Sequence, residues 1–167
     1  MRLLVSDANI LIDMEEGQLL TVVFKLPFEL IIPDLLFFDE LEELHAHWLD
    51  LGLKLGVLSG ESVRHVSELT SKYAKPSRND CMALALAKQE KCPLLTGDRD
   101  LKKAAELEGV FVSGTLWLVE QLVIHSLISV ETAKQSYEQM KVNGRRLPWA
   151  LAIQHLEALQ ENGSIET

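Results

Sequence analysis

The stretch Leu3-Leu4-Val5-Ser6-Asp7 decides the predicted fold, because a short apolar run stops there on two polar residues. Three similar runs follow at residues 29–32, 93–96 and 110–112. Short apolar runs that end on Ser, Asp, Gly or Pro are typical of parallel strands that are buried on both faces. We therefore predict a strand at each of these four places.

Helical patterns fill the sequence between the predicted strands. Apolar residues recur at helical spacing within residues 34–51, which the two-residue period of a strand cannot produce. The other predicted helices are residues 62–73, 78–91 and 101–107. Strands that alternate with helices indicate an α/β fold, in which right-handed crossovers lay helices on both faces of a parallel sheet.

The pattern changes at Thr115, because only helical stretches occur from there onward. Ser129 can cap one of these helices, and Pro148 can begin another. We predict a single domain, in which residues 1–113 form the core and residues 114–167 form a C-terminal helical extension packed on it.

The composition is that of one globular domain, with 167 residues of which 47% are hydrophobic. Asp7 and Asp13 interrupt the first apolar stretch too early for a signal peptide or a membrane span, so we expect a soluble, cytoplasmic protein. The net charge of −9 argues against a protein whose whole surface binds nucleic acid. A cluster of acids that a bound cation neutralises would also produce this charge.

Asp7 and Asp98 lie at the ends of two predicted strands. Asp7 follows the first strand directly, and Asp98 follows the strand at residues 93–96 after Gly97. Ligands of open α/β sheets bind beyond the carboxyl ends of the strands, which is where both carboxylates are predicted to lie. Each of them, taken alone, could equally be the cap of the next helix.

Glu40 and Asp80 are expected on helices. At about 100° per residue, the apolar stripe of residues 34–51 brackets Glu40 and leaves Asp39 and Glu42 on the far side. A carboxylate on an apolar face is costly unless it is paired or binds a metal, and a buried ion pair is the structural alternative. Asp80 stands in the first turn of its helix, where an acid also stabilises the helix dipole.

The four acids together indicate a metal site. Two carboxylates about 4 Å apart repel by roughly 4 kcal/mol at an effective dielectric near 20, so such a cluster needs cations. Oxygen ligands without a Cys or His partner favour Mg²⁺ or Mn²⁺ over Zn²⁺. Asn9, Thr96 and Asp100 are predicted to support the acids through hydrogen bonds or water.

These segments resemble the PIN-domain family. The residues that carry the resemblance are Val5-Ser6-Asp7-Ala8-Asn9-Ile10-Leu11-Ile12-Asp13, Ile32-Pro33 followed by Glu40-Leu41, Asp80 at the start of an Ala/Leu-rich helix, and Leu95-Thr96-Gly97-Asp98-Arg99-Asp100-Leu101. The match covers roughly residues 1–113. Ser113-Gly114-Thr115-Leu116 and Gly144-Arg145-Arg146-Leu147 resemble a branch of the family with extra C-terminal helices.

The resemblance implies a fold, an activity and partners. The implied fold is a three-layer α/β/α arrangement with a central parallel sheet of four or five strands. The implied activity is that of a ribonuclease dependent on Mg²⁺ or Mn²⁺, often the toxin of a toxin–antitoxin pair with a small antitoxin as partner, and often a homodimer. Carried over by position, the catalytic and metal-binding acids are Asp7, Glu40, Asp80 and Asp98.

The expected mechanism is metal-assisted hydrolysis of RNA. Bound cations lower the pKa of a water molecule, position it against the phosphodiester and neutralise charge on the phosphate. The basic side chains nearest in sequence to the acids are predicted to bind phosphates, although solvated helix faces carry such residues as often. These side chains are Arg78, Arg99, Lys102 and Lys103.

Two other functions fit parts of the pattern. The first is a PIN-fold binding module that grips a protein partner through the C-terminal helices and cleaves little or no RNA. The second is a phosphatase-like phosphotransfer protein, since such folds also place an Asp after the first strand. Haloacid-dehalogenase-type enzymes use a second Asp two residues later, and this chain has Asn9 there.

Overall fold

Five parallel strands form one sheet in the computed structural model, which describes residues 2–165 of the chain. The strands are β1 (Arg2–Ser6), β2 (Phe28–Pro33), β3 (Lys54–Gly56), β4 (Leu94–Leu95) and β5 (Val112–Ser113). Their order across the sheet is β3-β2-β1-β4-β5, so β1 lies at the centre. The predicted α/β class and parallel sheet are confirmed.

The helical segments are α1 (Ala8–Glu16), α2 (Leu20–Val23), α3 (Asp34–Leu36), a π turn (Phe37–Leu41), α4 (Glu42–His45), α5 (His47–Leu51), α6 (Gly60–Lys72), α7 (Arg78–Glu90), α8 (Arg99–Leu107), α9 (Thr115–Ile124), α10 (Val130–Val142) and α11 (Trp149–Ile165). Helix α7 packs against β1, β2 and β4. Its residues 81–87 are all buried, as the unbroken apolar run in the sequence predicts.

The edges of the sheet differ from the sequence prediction. Strand β3 was not among the predicted runs, because Lys54–Gly56 is short, only partly buried and carries no apolar run. The strand predicted at residues 110–112 is displaced, since β5 begins at Val112. Phe111 is 84% exposed rather than buried, although its carbonyl oxygen accepts a hydrogen bond from Leu94 N of β4 at 2.9 Å.

The chain divides into two compact units. The first holds the described residues up to Ile10 together with Pro27–Gly114, and so contains the whole sheet. The second holds Leu11–Leu26 together with the described residues from Thr115 onward, and it is entirely helical where it has regular structure. The predicted domain boundary between residues 113 and 114 stays a prediction.

The helical unit is held together by a partly buried ion pair as well as by apolar packing. Arg145 Nε lies 2.6 Å from Asp13 Oδ1, and Thr115 Oγ1 donates to Asp13 Oδ2 at 2.6 Å. These contacts join α1, the start of α9 and the segment between α10 and α11. Within residues 2–165, none of the helices combines the length and apolar character that a bilayer crossing requires.

Candidate active site

The order of the strands creates a switch point between β1 and β4. Strand β2, to which the chain runs after β1, lies on one side of β1, and β4 lies on the other side of β1. The register pairs Val5 with Leu94 and Ser6 with Leu95, so the carboxyl ends of the two strands lie side by side. Open α/β sheets bind their ligands at such a point. Asp7 follows one of these strands, and Thr96 follows the other.

Hydrogen bonds from its backbone and its side chain fix Asp7 at this point. Its backbone N–H donates to Leu95 O at 2.9 Å, and its Oδ1 accepts from Ile10 N at 3.1 Å, which caps α1. Its Oδ2 accepts a hydrogen bond from Thr96 Oγ1. The side chain is only 4% exposed, so its position is set by the sheet and the helix together.

Thr96 connects Asp7 with Asp98. While it donates to Asp7, its hydroxyl oxygen accepts from the Asp98 backbone N–H at 3.1 Å. Asp98 caps α8, because its Oδ1 accepts from Leu101 N at 2.7 Å. Asp7 and Asp98 therefore both cap helices, which is the alternative role that the sequence left open for each of them. The buried Thr96 side chain joins the two residues into one cluster.

Glu40 does not lie on a buried helix face, which corrects the expectation from its sequence spacing. The wide turn Phe37–Leu41 is π-helical, with the Glu42 N–H donating to Phe37 O. A π turn holds more residues than an α turn, so the spacing of about 100° per residue does not continue through it. Glu40 is exposed, and Leu44 of the predicted stripe is 75% exposed.

Glu40 is instead held by an asparagine from α7. Asn79 Nδ2 donates to Glu40 Oε1 and also to Asp39 Oδ2, the latter at 3.0 Å. Asp39, which the helical argument placed on the far side, therefore shares a hydrogen-bond donor with Glu40. Asn79 was not among the predicted site residues. The signal that could have identified it is an amide side chain directly before Asp80, in the first turn of a buried helix.

Asp80 takes part in a capping box at the start of α7. Its Oδ2 accepts from Ser77 N at 2.9 Å, and its backbone N–H donates to Ser77 Oγ at 3.0 Å. This is the stabilising role that a first-turn acid can have without any catalytic function. The box also fixes the direction of the Asp80 side chain and leaves Oδ1 without a hydrogen-bond donor among the described residues.

The structure brings the predicted acids together in two groups rather than one. Asp7 and Asp98 are joined through Thr96, and Glu40 is joined to α7 next to Asp80. A crossover helix runs antiparallel to its strands, and α7 ends shortly before β4, so its first turn lies toward the carboxyl end of the sheet. Within residues 2–165, no three His, Cys, Asp or Glu side chains are close enough to share a metal ion.

The remaining predicted supporting residues, Asn9 and Asp100, lie on α1 and α8. Asn9 is exposed on α1, and Asp100 Oδ1 lies 4.0 Å from Lys75 Nζ. A groove of about 730 Å³ lies at the opposite, amino end of the sheet, lined by residues that include Leu3, Pro93 and Phe111. None of the predicted acids lines this groove, so cavity size does not mark the candidate site.

Comparison with known families gives a match over nearly the whole described chain. The model of the family DUF3368, a PIN domain, matches residues 3–161. The chain belongs to the PIN-domain family. PIN domains are generally nucleases, and the match of this PIN domain extends through most of its helical unit. No protein of curated function matches the sequence.

The acids of this PIN domain have the chemistry that a hard divalent cation requires. Glu40, Asp80 and Asp98 each use one carboxylate oxygen as a hydrogen-bond acceptor, and the other oxygen accepts none from the part of the chain that the structure describes. Metal-binding carboxylates are commonly oriented by hydrogen bonds in this way. Oxygen donors of this kind suit Mg²⁺ or Mn²⁺, so the donor chemistry of these residues fits such an ion.

Basic side chains stand beside both groups of acids. Arg78 is the first residue of α7 and Arg99 the first of α8, while Lys102 and Lys103 follow one turn later on α8. All four are exposed, and none forms an ion pair with any residue between 2 and 165. They are therefore available to contact an anionic polymer at the edge of the sheet where Asp80 and Asp98 lie.

Proposed function

We propose that this PIN domain is a metal-dependent ribonuclease that hydrolyses phosphodiester bonds of RNA with Mg²⁺ or Mn²⁺. The observation that carries the proposal is the Thr96 hydroxyl, which ties the buried Asp7 carboxylate to Asp98 at the switch point of the sheet. Membership of a nuclease family supports the reaction class. The exposed basic residues at the starts of α7 and α8 support a nucleic-acid substrate.

Each residue has a distinct proposed role. Asp7, Glu40, Asp80 and Asp98 would hold one or two cations, which when bound supply positive charge for the phosphate and acidify a water molecule. Thr96 holds the Asp7 carboxylate in one orientation. Asp98 is exposed, and its Oδ2 can accept the proton of the attacking water.

Substrate binding falls to the flanking residues. We assign phosphate contacts to Arg78, Arg99, Lys102 and Lys103, because a local basic patch can bind RNA although the whole chain is acidic. Asn9 and Asp100 are proposed to support the acids through water. A toxin role, a small antitoxin partner, a homodimer and a cytoplasmic location stay predictions from the sequence.

A cleavage assay tests the proposal. Mixed RNAs and DNA of matching sequence are incubated with the wild-type protein in Mn²⁺, in Mg²⁺ and in EDTA, beside Asp7→Asn. We expect cleavage of RNA with either metal, none in EDTA and none by Asp7→Asn. Cleavage that EDTA leaves undiminished would refute the mechanism.

Two other outcomes would support the rival functions. A protein that cleaves no RNA but retains a protein partner through purification would be a binding module. A stable aspartyl-phosphate on Asp7 would indicate phosphotransfer. The ribonuclease proposal fails in either case.

A further inference from the structure

We propose that Asn79 is a positioning residue, whose side-chain amide holds the Glu40 carboxylate in the orientation that the metal site requires. This inference rests on the proposed function and adds to it a residue outside the set of acids. It is carried by the two hydrogen bonds from Asn79 Nδ2, one to Glu40 Oε1 and one to Asp39 Oδ2 at 3.0 Å.

Glu40 needs an external constraint because of where it lies. Its side chain is exposed and belongs to a π turn, so the packing of its own helix does not restrict its rotamers. A long, exposed carboxylate samples many conformations unless a partner holds it. Asn79 supplies that partner from a different helix, and the open oxygen of Glu40 remains accessible to a cation.

The chemistry of an amide suits this role better than that of a cation. Asn79 donates to Glu40 and Asp39 at once, and so offsets part of the repulsion between these neighbouring carboxylates. A Lys or Arg at the same place would neutralise Glu40 and compete with a metal ion for it. The neutral amide orients the carboxylate and leaves its charge in place.

The position of Asn79 also couples Glu40 to Asp80. The two α7 residues are adjacent in the first turn, whose backbone is fixed by the capping box between Ser77 and Asp80. The helix turn that sets the direction of Asp80 therefore sets the direction of the amide that holds Glu40. A shift of this turn would displace both acids together.

A purely structural role for Asn79 predicts something different, and α7 offers a matched control. At the other end of the helix, Gln89 Nε2 donates to Val57 O at 3.0 Å, and Gln89 Oε1 accepts from Ser59 N at 2.9 Å. Gln89 thus also ties α7 to a neighbouring segment by two hydrogen bonds, and no predicted acid is involved. Removing either amide should lower the stability of the fold by a similar amount, whereas only the removal of the Asn79 amide should weaken the binding of Mn²⁺.

The test is a Mn²⁺ titration followed by electron paramagnetic resonance, on the wild type, Asn79→Ala, Asn79→Ser and Gln89→Ala. Thermal unfolding of each variant establishes that it is folded. The Ser variant is a second replacement that keeps a polar side chain in the first turn of α7, yet its short side chain does not reach Glu40. We expect both Asn79 variants to bind Mn²⁺ at least about tenfold more weakly than the wild type, and Gln89→Ala to bind like the wild type.

The outcomes separate this inference from the proposed function. If the wild type binds Mn²⁺ and the folded Asn79 variants bind it equally well, the positioning role is wrong while the ribonuclease proposal stands. The same holds if Gln89→Ala weakens binding as much as Asn79→Ala does. If the wild type binds no Mn²⁺, the proposed function itself fails and this inference with it.

Discussion

Asp7 and Asp13 are two buried aspartates in the same stretch of sequence, and their surroundings differ in kind. Asp7 is 4% exposed and Asp13 is 6% exposed, so burial does not separate them. Asp13 meets the guanidinium of Arg145 and the hydroxyl of Thr115. Asp7 meets the hydroxyl of Thr96, which in turn accepts a hydrogen bond from the backbone N–H of Asp98.

The hydrogen-bond partners of the two carboxylates distinguish a candidate metal ligand from a structural aspartate in this fold. The hydrogen bonds of Asp13 end on a cation within its own unit, which is how a buried carboxylate serves stability. The hydrogen bonds of Asp7 lead through Thr96 to the backbone of Asp98 at the switch point of the sheet, where open α/β sheets bind their ligands. The chemistry of the next neighbour, rather than burial, separates the two roles.

The largest expected effect comes from Asp7→Asn, which tests the functional half of the comparison. Asparagine caps a helix as well as aspartate does, so the contact with Ile10 N survives and the fold should be retained. We expect Mn²⁺-stimulated RNA cleavage to fall at least about 100-fold, because the negative charge of a metal ligand is lost. Full activity in a folded Asp7→Asn protein would mean that Asp7 belongs with Asp13.

Asp13→Asn tests the structural half. The substitution removes the charge that faces Arg145, and hydrogen bonds to charged groups contribute about 2 kcal/mol. We expect the free energy of unfolding in urea to drop by about this amount, with cleavage per folded molecule unchanged. The double variant Asp13→Asn with Arg145→Met should lose less than the sum of the single variants, since the two side chains interact directly.

The central strands of the sheet were easier to predict from the sequence than its edge strands. The central strands β1, β2 and β4 could be predicted because burial on both faces leaves unbroken apolar runs, as in residues 30–32. The edge strand β3 left no such run, and β5 starts later than its apolar residues suggest. Strand-end acids follow from strand positions, so Asp7 and Asp98 were accessible to sequence reasoning.

The environments of Glu40 and Asp13 were not accessible in this way. A π turn is set by how a helix packs, and the sequence alone gave no sign that residues 37–41 form one. The pairing of Asp13 with Arg145 joins residues far apart in the chain, and no local pattern specifies it. Long-range side-chain partners such as Asn79 and Glu40 therefore had to come from the three-dimensional structure.

Thr96→Val probes the link that distinguishes Asp7 from Asp13. Valine keeps the shape of the buried threonine but removes the hydroxyl that joins Asp7 to Asp98. We expect cleavage to fall about tenfold, as is common when a group that orients a metal ligand is lost. Thr96→Ser is the matched control, and it should stay near wild-type activity. Equal rates for the two variants would contradict the role of the hydroxyl.

Glu108 extends the comparison to a third acid and gives the smallest effect. Hydrogen bonds from Lys88 at 2.7 Å and from the Tyr73 hydroxyl at 2.6 Å lower the pKa of this carboxyl from 4.5 to about 2. Its contribution to stability is therefore complete above about pH 4.5 and is lost as the pH falls toward 2. Glu108→Gln should flatten this part of the stability curve, measured by thermal unfolding between pH 2 and 5, and leave cleavage at neutral pH unchanged.

A calorimetric titration of Mn²⁺ into the wild type, Asp7→Asn and Asp13→Asn decides whether Asp7, unlike Asp13, belongs to a metal site. The two variants lose the same charge from side chains that are equally buried, so only the surroundings of each residue differ. We expect the wild type and Asp13→Asn to bind Mn²⁺ alike and Asp7→Asn to bind it at least about 100-fold more weakly. Undiminished binding by a folded Asp7→Asn protein would contradict the assignment of the strand-end acids to a metal site.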